Sequence, residues 1–200
     1  MLNLNNALTL SVEQNSIIQG FGALTADHWR RNETKLRKAI RESLKSIQHN
    51  CCVYCGCRVC GTGDVEHIAH KADYPQFLFT PENLAYSCKT CNQTYKGKAN
   101  VVSNVNAIYQ NCCFTIVHPY LDNVDLFFDT STSLIKIRTG LSASDQAKAE
   151  TTRELLHWSE PEVVLRRSMQ AMAQHYAIEH NTNIDQISYE DTLTYITGSL

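Results

Sequence analysis

The sequence predicts a mixed α+β protein, and three patterns support this prediction. Apolar residues recur at helical spacing within 31–48, short segments between 112 and 139 alternate as strands do, and two helix starts follow residue 141. At 200 residues the chain is long enough for one domain and a small appendage. Its 43% hydrophobic content and net charge of −2 argue against a disordered chain and against a protein coated in positive charge.

The first predicted element is a basic amphipathic helix over 31–48. Its apolar stripe consists of residues four, four and three positions apart, namely Leu36, Ile40, Leu44 and Ile47. Seven cations lie in or beside it: Arg30, Arg31, Lys35, Arg37, Lys38, Arg41 and Lys45. Such a surface can neutralise several phosphates, and we expect Arg37, Lys38 and Arg41 to contact nucleic acid. The alternative is an ordinary solvated helix face.

The two halves of the chain carry opposite charge. Residues 1–100 hold twelve Lys/Arg and eight Asp/Glu, a balance of +4, whereas residues 101–200 hold six and twelve, a balance of −6. The first half is therefore the candidate nucleic-acid face, and the second half is better suited to a protein partner.

Nine cysteines are concentrated in the middle of the chain: Cys51, Cys52, Cys55, Cys57, Cys60, Cys88, Cys91, Cys112 and Cys113. The first twenty residues lack the pattern of a secretory signal, and the apolar stretches of the chain are too short for a membrane span. We therefore expect a cytoplasmic protein. In a reducing compartment, clustered cysteines are metal ligands more often than disulfides.

Two C-x-x-C pairs, separated by 32 residues, are the candidate zinc ligands: Cys52, Cys55, Cys88 and Cys91. Zinc favours four tetrahedral thiolates, and a closed four-cysteine site leaves no open position, so this ion is expected to be structural. Cys57 and Cys60 form a third pair, which can replace the first, bind a second ion or be inert. Cys51, Cys112 and Cys113 are expected to be packing residues.

Chemistry is expected at Glu66, His67 and Asn92. A carboxylate beside an imidazole, with an Asn after the second C-x-x-C pair, suits a hard divalent ion working with a general base. Neighbouring residues on a strand point to opposite faces, so Glu66 and His67 are expected to have separate roles.

The last third of the chain is predicted to contain two helices. Ser142 with Asp145, and Ser159 with Pro161 and Glu162, have the spacing of helix N-termini. In the second helix a core stripe is predicted at Leu165, Met169, Met172 and Tyr176.

These motifs occur in the order typical of HNH endonucleases, and residues 52–98 resemble that family. The matching residues are Cys52 and Cys55, then Glu66, His67 and Ile68, then Asn83 and Leu84, then Cys88, Cys91 and Asn92, then Lys96, Gly97 and Lys98. The resemblance implies a ββα-metal core, in which a hairpin and a helix surround one catalytic ion.

The resemblance also implies roles for individual residues. His67 matches the general base, Glu66 and Asn92 match the ligands of a catalytic Mg²⁺ or Mn²⁺, and Asn83 matches the Asn that braces the loop and orients the base. Lys96 and Lys98 are then expected to contact phosphate. Two positions depart from the family: Glu66 stands where Asp is usual, and His70 where Pro is frequent.

A narrower resemblance extends to about 52–128. Glu66 and His67, Tyr74 and Pro75, and His118 and Pro119 followed by Asp122 are similar to the HNH subunit of Septu-type phage-defence systems. That subunit pairs with an ABC-type ATPase and also occurs beside retrons.

These resemblances imply a metal-dependent endonuclease acting on nucleic acid, with DNA favoured over RNA, in an anti-phage defence system with an ABC-type ATPase. The expected parts are an N-terminal segment with the basic helix (1–50), an HNH core with its zinc knuckle (51–100), short packing strands (101–140) and a helical partner-docking region (141–200). The alternative function is a non-catalytic zinc-knuckle module that binds nucleic acid or protein.

Overall fold

The computed structural model describes residues 1–31, 35–184, 187, 190–191, 194 and 197–198. Its α-helices are α1 (Val12–Gln19), α2 (Ala26–Arg31), α3 (Leu36–Ile47), α4 (Val124–Phe127), α5 (Ala143–Leu155) and α6 (Pro161–Glu179). Its strands are β1 (Asp64–His67), β2 (Leu84–Ser87), β3 (Val102–Asn104), β4 (Cys113–Phe114), β5 (Phe128–Asp129) and β6 (Lys136–Ile137). A π-helix spans Thr90–Lys96, and short 3₁₀ turns cover Pro75–Phe77, Pro81–Asn83 and Tyr109–Asn111. The predicted mixed α+β class is confirmed.

The centre of the fold is an antiparallel hairpin of β1 and β2, followed by the π-helix. Val65 lies opposite Tyr86 and His67 opposite Leu84. All four residues of β2 are buried, so this strand lies inside the core. Gly63 precedes β1 because a Cβ there would come within 2.5 Å of the Tyr86 ring.

Helix α3 packs against this hairpin through the predicted stripe, since Leu36, Ile40 and Leu44 are buried. Ile47, at the end of the stripe, is 36% exposed. Residues 32–34 of the predicted helix lie outside the described residues. The buried Gln48 follows the helix and donates to the Tyr86 carbonyl over 2.8 Å while accepting from the Tyr86 amide. This pair of bonds fixes the end of α3 to β2.

Four of the short strands form two further antiparallel pairs, β3 with β4 and β5 with β6. Three of these four strands lie within the region 112–139, where alternation predicted two or three strands. None of the α-helices in the described part of the chain is long and apolar enough to cross a membrane.

Helices α5 and α6 begin close to their predicted positions. The Ser142 hydroxyl accepts from the Asp145 amide, as the capping pattern predicted. Pro161 is the first residue of α6, but its N-cap is Glu160 rather than Ser159.

The core stripe predicted in α6 is wrong. Leu165 is 60% exposed and Met172 39% exposed, whereas Val163 and Ala177 are the buried residues of this helix. The reason is that α6 docks largely through a polar side chain. Arg167 donates to the carbonyl oxygens of Cys55, Thr130, Thr132 and Ser133 over 2.7–3.2 Å. The helix therefore clamps the first C-x-x-C turn to the loop between β5 and β6.

Candidate active site and metal centre

Four cysteine side chains converge into one cluster that has the composition of a metal site. The sulfur atoms of Cys52, Cys55, Cys88 and Cys91 all lie within 4.8 Å of one another, and three of these residues are buried. Four converging thiols match the ligand set of a structural zinc. In the part of the chain that the structure describes, no other group of three or more His, Cys, Asp or Glu converges in this way. The four cysteines can therefore hold a metal such as zinc.

The electrostatics of this cluster favour negative charge at Cys88. Hydrogen bonds from the thiols of Cys52, Cys55 and Cys91 lower the pKa of Cys88. Arg166 adds positive charge here, with its Nη1 atom 3.9 Å from the Cys88 sulfur. The third C-x-x-C pair lies outside the cluster, because Cys60 is exposed and the Cys57 sulfur faces the Cys55 carbonyl.

His67 lies at the end of β1 with one ring nitrogen engaged and the other without a partner. Its Nε2 atom is 3.1 Å from the carbonyl oxygen of Leu78. A carbonyl only accepts hydrogen bonds, so Nε2 carries the ring proton and Nδ1 carries the lone pair. Nδ1 is buried with no hydrogen-bond partner in the structure. Such an oriented, unpartnered acceptor is what a general base requires.

The surroundings of His67 keep its ring neutral. Burial, followed by the nearby charge of Lys71, holds the pKa of His67 well below its usual range. The ring of Trp29, from α2, meets His67 edge-on with 4.5 Å between ring centroids. Trp29 is 5% exposed, so it covers His67 on this side.

Asn83 holds together the two segments that frame His67. Its Oδ1 accepts from the Ala69 amide over 2.7 Å, and its Nδ2 donates to the carbonyls of Ala69 and Phe77. Ala69 lies two residues after His67, and Phe77 lies immediately before Leu78. The completely buried Asn83 thus braces the loop whose Leu78 carbonyl orients the imidazole.

Glu66 and Lys96 form a buried ion pair. Lys96 Nζ is 2.7 Å from Glu66 Oε1, which also accepts from the Tyr54 hydroxyl over 3.0 Å. Lys96 donates in addition to the His67 carbonyl. Because Lys96 is 2% exposed, it does not present its charge at the surface as a phosphate contact would. The side chains of Glu66 and His67 therefore have different partners, Lys96 and Tyr54 for the carboxylate and the Leu78 carbonyl for the imidazole.

Asn92 lies on the π-helix and faces β1. Its Nδ2 is 3.4 Å from Asp64 Oδ2, which also accepts from Gln93 over 2.7 Å. Asp64 was not among the predicted site residues, although it stands two residues before Glu66 and therefore on the same strand face. Asp64 and Asn92 therefore lie together at one edge of the hairpin.

A basic cleft of about 730 Å³ opens beside this edge. It is lined by Trp29, Arg30, Arg37, Lys38, Arg41, Gly63, Asp64, Val65, Lys71, Asn92 and Gln93. The three cations predicted on α3 thus line the same cleft as Asn92, together with Lys71, which was not among the predicted site residues. The guanidinium of Arg37 lies 5.3 Å from the centroid of the Trp29 ring. Lys98 is exposed but does not line this cleft.

No family model matches the chain. Protein ea31 of Escherichia phage lambda is 35% identical over 98 residues, which cover 49% of this chain and 30% of that protein. Septu protein PtuB of Bacillus thuringiensis is 29% identical over 121 residues, which cover 59% of this chain and 40% of that protein. The chain therefore spans less than half the length of these curated relatives. It is similar to a Septu protein and to a phage lambda protein over about half of its own length.

Proposed function

We propose that the protein is a metal-dependent endonuclease that hydrolyses phosphodiester bonds of nucleic acid, with DNA as the favoured substrate. The main observation in support of this proposal is the hydrogen bonding of the two ring nitrogens of His67. Its Nε2 is bound to the Leu78 carbonyl and its Nδ1 is an unpartnered acceptor. The His67 ring packs against Trp29, which lines a basic cleft.

In this proposal the cleft binds the nucleic-acid backbone and His67 activates water. Lys38, Arg41 and Lys71 line the cleft and contact phosphates, which positions the chain without reading its sequence. The oxygen of a water molecule bonds to phosphorus, a P–O bond of the backbone breaks, and Nδ1 of His67 takes the proton from the water. Because burial keeps the imidazole neutral, Nδ1 is ready to accept that proton.

The catalytic ion of the proposal is Mg²⁺ or Mn²⁺, with Asn92 and Glu66 as its protein ligands. Asn92 and Asp64 both line the cleft, and amide and carboxylate oxygens are ligands of the kind that a hard divalent ion prefers. Oε1 of Glu66 is already engaged by Lys96 and Tyr54, so in this proposal Glu66 coordinates the ion through its other carboxylate oxygen. When bound, the ion stabilises negative charge on the phosphate and on the leaving oxygen.

The proposed biological role is anti-phage defence with an ABC-type ATPase as partner. The similarity to Septu protein PtuB supports this role. The partner is proposed to dock on α6, where Leu165 and Met172 are exposed. Replacing both by Glu should abolish co-purification with a co-expressed ATPase while the metal content stays unchanged. Replacing the exposed Val12 of α1 by Glu is the matched control.

The second candidate is a non-catalytic zinc-knuckle module that binds nucleic acid. It is favoured by one observation, the engagement of Glu66 with Lys96 in a buried pair rather than with a solvent-accessible site. This module would bind nucleic acid through the α3 cations but would not cut it.

A cleavage assay separates the two functions. Purified protein, alone and with the co-expressed ATPase, is incubated with Mg²⁺ or Mn²⁺ and with duplex DNA, single-stranded DNA or tRNA. We expect metal-dependent cleavage that His67→Ala removes and that His49→Gln, at an exposed histidine outside the cleft and outside α6, leaves intact. Binding without cleavage, or equal cleavage by His67→Ala, would refute the nuclease and favour the module.

A further inference from the structure

A chain of buried hydrogen bonds runs from His118 to the Asn that braces the His67 loop. His118 Nδ1 accepts from the amides of Tyr120 and Leu121 over 3.2 and 3.3 Å. The ring proton of a neutral His118 is therefore on Nε2, which lies 2.9 Å from the Tyr109 hydroxyl. Since Nε2 donates, the hydroxyl of Tyr109 is free to donate its own proton onward.

The acceptor of that proton is Asn83. The Tyr109 hydroxyl is 2.9 Å from Asn83 Oδ1, the same oxygen that accepts from the Ala69 amide. His118, Tyr109 and Asn83 are all buried, with at most 3% of any of them exposed. Each hydrogen bond of the chain thus has one direction only, and water does not compete for it.

This direction fixes the orientation of the Asn83 amide. With two donors on Oδ1, the amide nitrogen must point to the carbonyls of Ala69 and Phe77, which it contacts over 3.2 and 2.9 Å. The residue after Phe77 is Leu78, whose carbonyl binds Nε2 of His67. The tautomer of His67 is therefore set four hydrogen bonds away from His118.

We propose that Tyr109 and His118 are positioning residues of the active site, which act through Asn83 and Leu78 to keep the lone pair of His67 on Nδ1. The proposal rests on the proposed function for its catalytic consequence, but not for its effect on the tautomer. His118 suits the role over a wide pH range, because burial lowers its pKa to about 3 and the ring stays neutral.

His118 has two separable contacts, and two substitutions distinguish them. Glutamine places an amide near the position of Nε2 and can still donate to Tyr109. Asparagine places an oxygen near Nδ1, so it keeps the turn at Tyr120 and Leu121 but cannot reach Tyr109. A purely structural role of the turn predicts that His118→Asn is the milder change, whereas the positioning role predicts that His118→Gln is.

The test measures ¹⁵N chemical shifts of the His67 ring, cleavage rate and nucleic-acid affinity in the zinc-loaded full chain. We expect His118→Gln to keep the Nε2–H tautomer and the wild-type rate. His118→Asn and Tyr109→Phe should mix the two tautomers and lower kcat about 10- to 100-fold with unchanged affinity for DNA. Thermal unfolding confirms that each variant is folded at the assay temperature.

Two results would overturn the proposal: an unchanged His67 tautomer in folded Tyr109→Phe, or a His118→Gln that is no better than His118→Asn. If Tyr109→Phe does not fold, the comparison of His118→Gln with His118→Asn still tests the positioning role. If the wild-type protein does not cleave any substrate, the nuclease proposal fails, and the ring shifts of His67 continue to test the positioning role.

Discussion

His67 donates from Nε2 over 3.1 Å to the carbonyl oxygen of Leu78, which stands eleven positions further along the chain, across a loop. The bond depends on the position of that loop, which the side chain of Asn83 holds at Phe77. In Asn83→Asp the amide donor is lost, so the carbonyls of Ala69 and Phe77 face a carboxylate. We expect a loss of about 1–3 kcal/mol in the free energy of unfolding and a cleavage rate at least about tenfold lower.

Urea unfolding and a cleavage assay check this prediction. Asn111→Asp, at an exposed position, makes the same chemical change outside the network and should leave both quantities unaltered. A folded Asn83→Asp protein with the wild-type rate would show that Asn83 does not position the base.

Removing one member of the Glu66–Lys96 pair should destabilise the fold strongly, whereas removing both charges together should destabilise it little. Glu66→Gln leaves the ammonium of Lys96 buried without its counter-charge, and Lys96→Met does the same to Glu66. Each single change should lower the free energy of unfolding by about 3–5 kcal/mol. The double variant should recover most of this loss, because neither charge remains. If the double-mutant cycle shows no coupling between the two positions, the pair is not formed in solution.

Stability should fall in acid because His118 is buried in its neutral form. Its pKa in the folded protein is about 3, below the usual value of 6.5, owing to burial and then to the charge of Lys148. Below pH 6.5 the unfolded chain therefore binds a proton that the folded chain does not. This histidine should lower the free energy of unfolding by about 1.4 kcal/mol per pH unit between pH 6.5 and 3.

Urea unfolding of wild type and His118→Gln at several pH values isolates this contribution. The variant should show a shallower pH dependence, smaller by one proton. His175→Gln, at an exposed histidine, should retain the wild-type slope. Equal slopes in all three proteins would mean that His118 titrates normally in the folded state.

The four-cysteine centre should bind one zinc ion per chain and should be needed for folding of the core. Cys88→Ser removes a ligand and is expected to abolish zinc retention, measured by metal analysis after dialysis. Cys60→Ser changes an exposed thiol of the third C-x-x-C pair and should retain one zinc. Zinc loss in Cys60→Ser would assign that pair to the metal instead.

The cations of the cleft should increase the affinity for duplex DNA by the same amount whatever the DNA sequence. Lys38→Gln and Arg41→Gln each remove a charge from the cleft wall. Each should reduce by about 0.9 the slope of log affinity for duplex DNA against log salt concentration. Lys45→Gln, on the same helix but lining a different groove with His49 and Arg58, is the control and should leave the slope unchanged. Identical slopes in all three variants would place the nucleic acid elsewhere.

Much of this arrangement could be predicted from local patterns. The stripe of α3 and the paired cysteines are periodic signals that are contained in a short stretch of sequence, and the structure has both. The contacts of Glu66 and Lys96 could not be predicted in this way, since these residues are 30 positions apart and meet only because the π-helix packs on β1. From the sequence, a Lys that follows a metal-site motif is expected to be a surface cation. The structure instead shows that Lys96 is buried and paired with Glu66.

The error in α6 has a similar cause. Leu165, Met169, Met172 and Tyr176 have the spacing of a buried face, but spacing does not show which face of a helix meets the protein. Four carbonyl oxygens of distant segments accept from Arg167, and this polar anchor sets the rotation of the helix. Deleting the chain from residue 142 would therefore disturb the cysteine turn itself, so point changes on α6 are the better test of docking.

Trp29 both lines the basic cleft and rests against the ring of His67. Because Trp29 contacts both, the packing of His67 depends on what occupies the cleft. A ligand that displaces the indole on entering the cleft also uncovers the imidazole on this side.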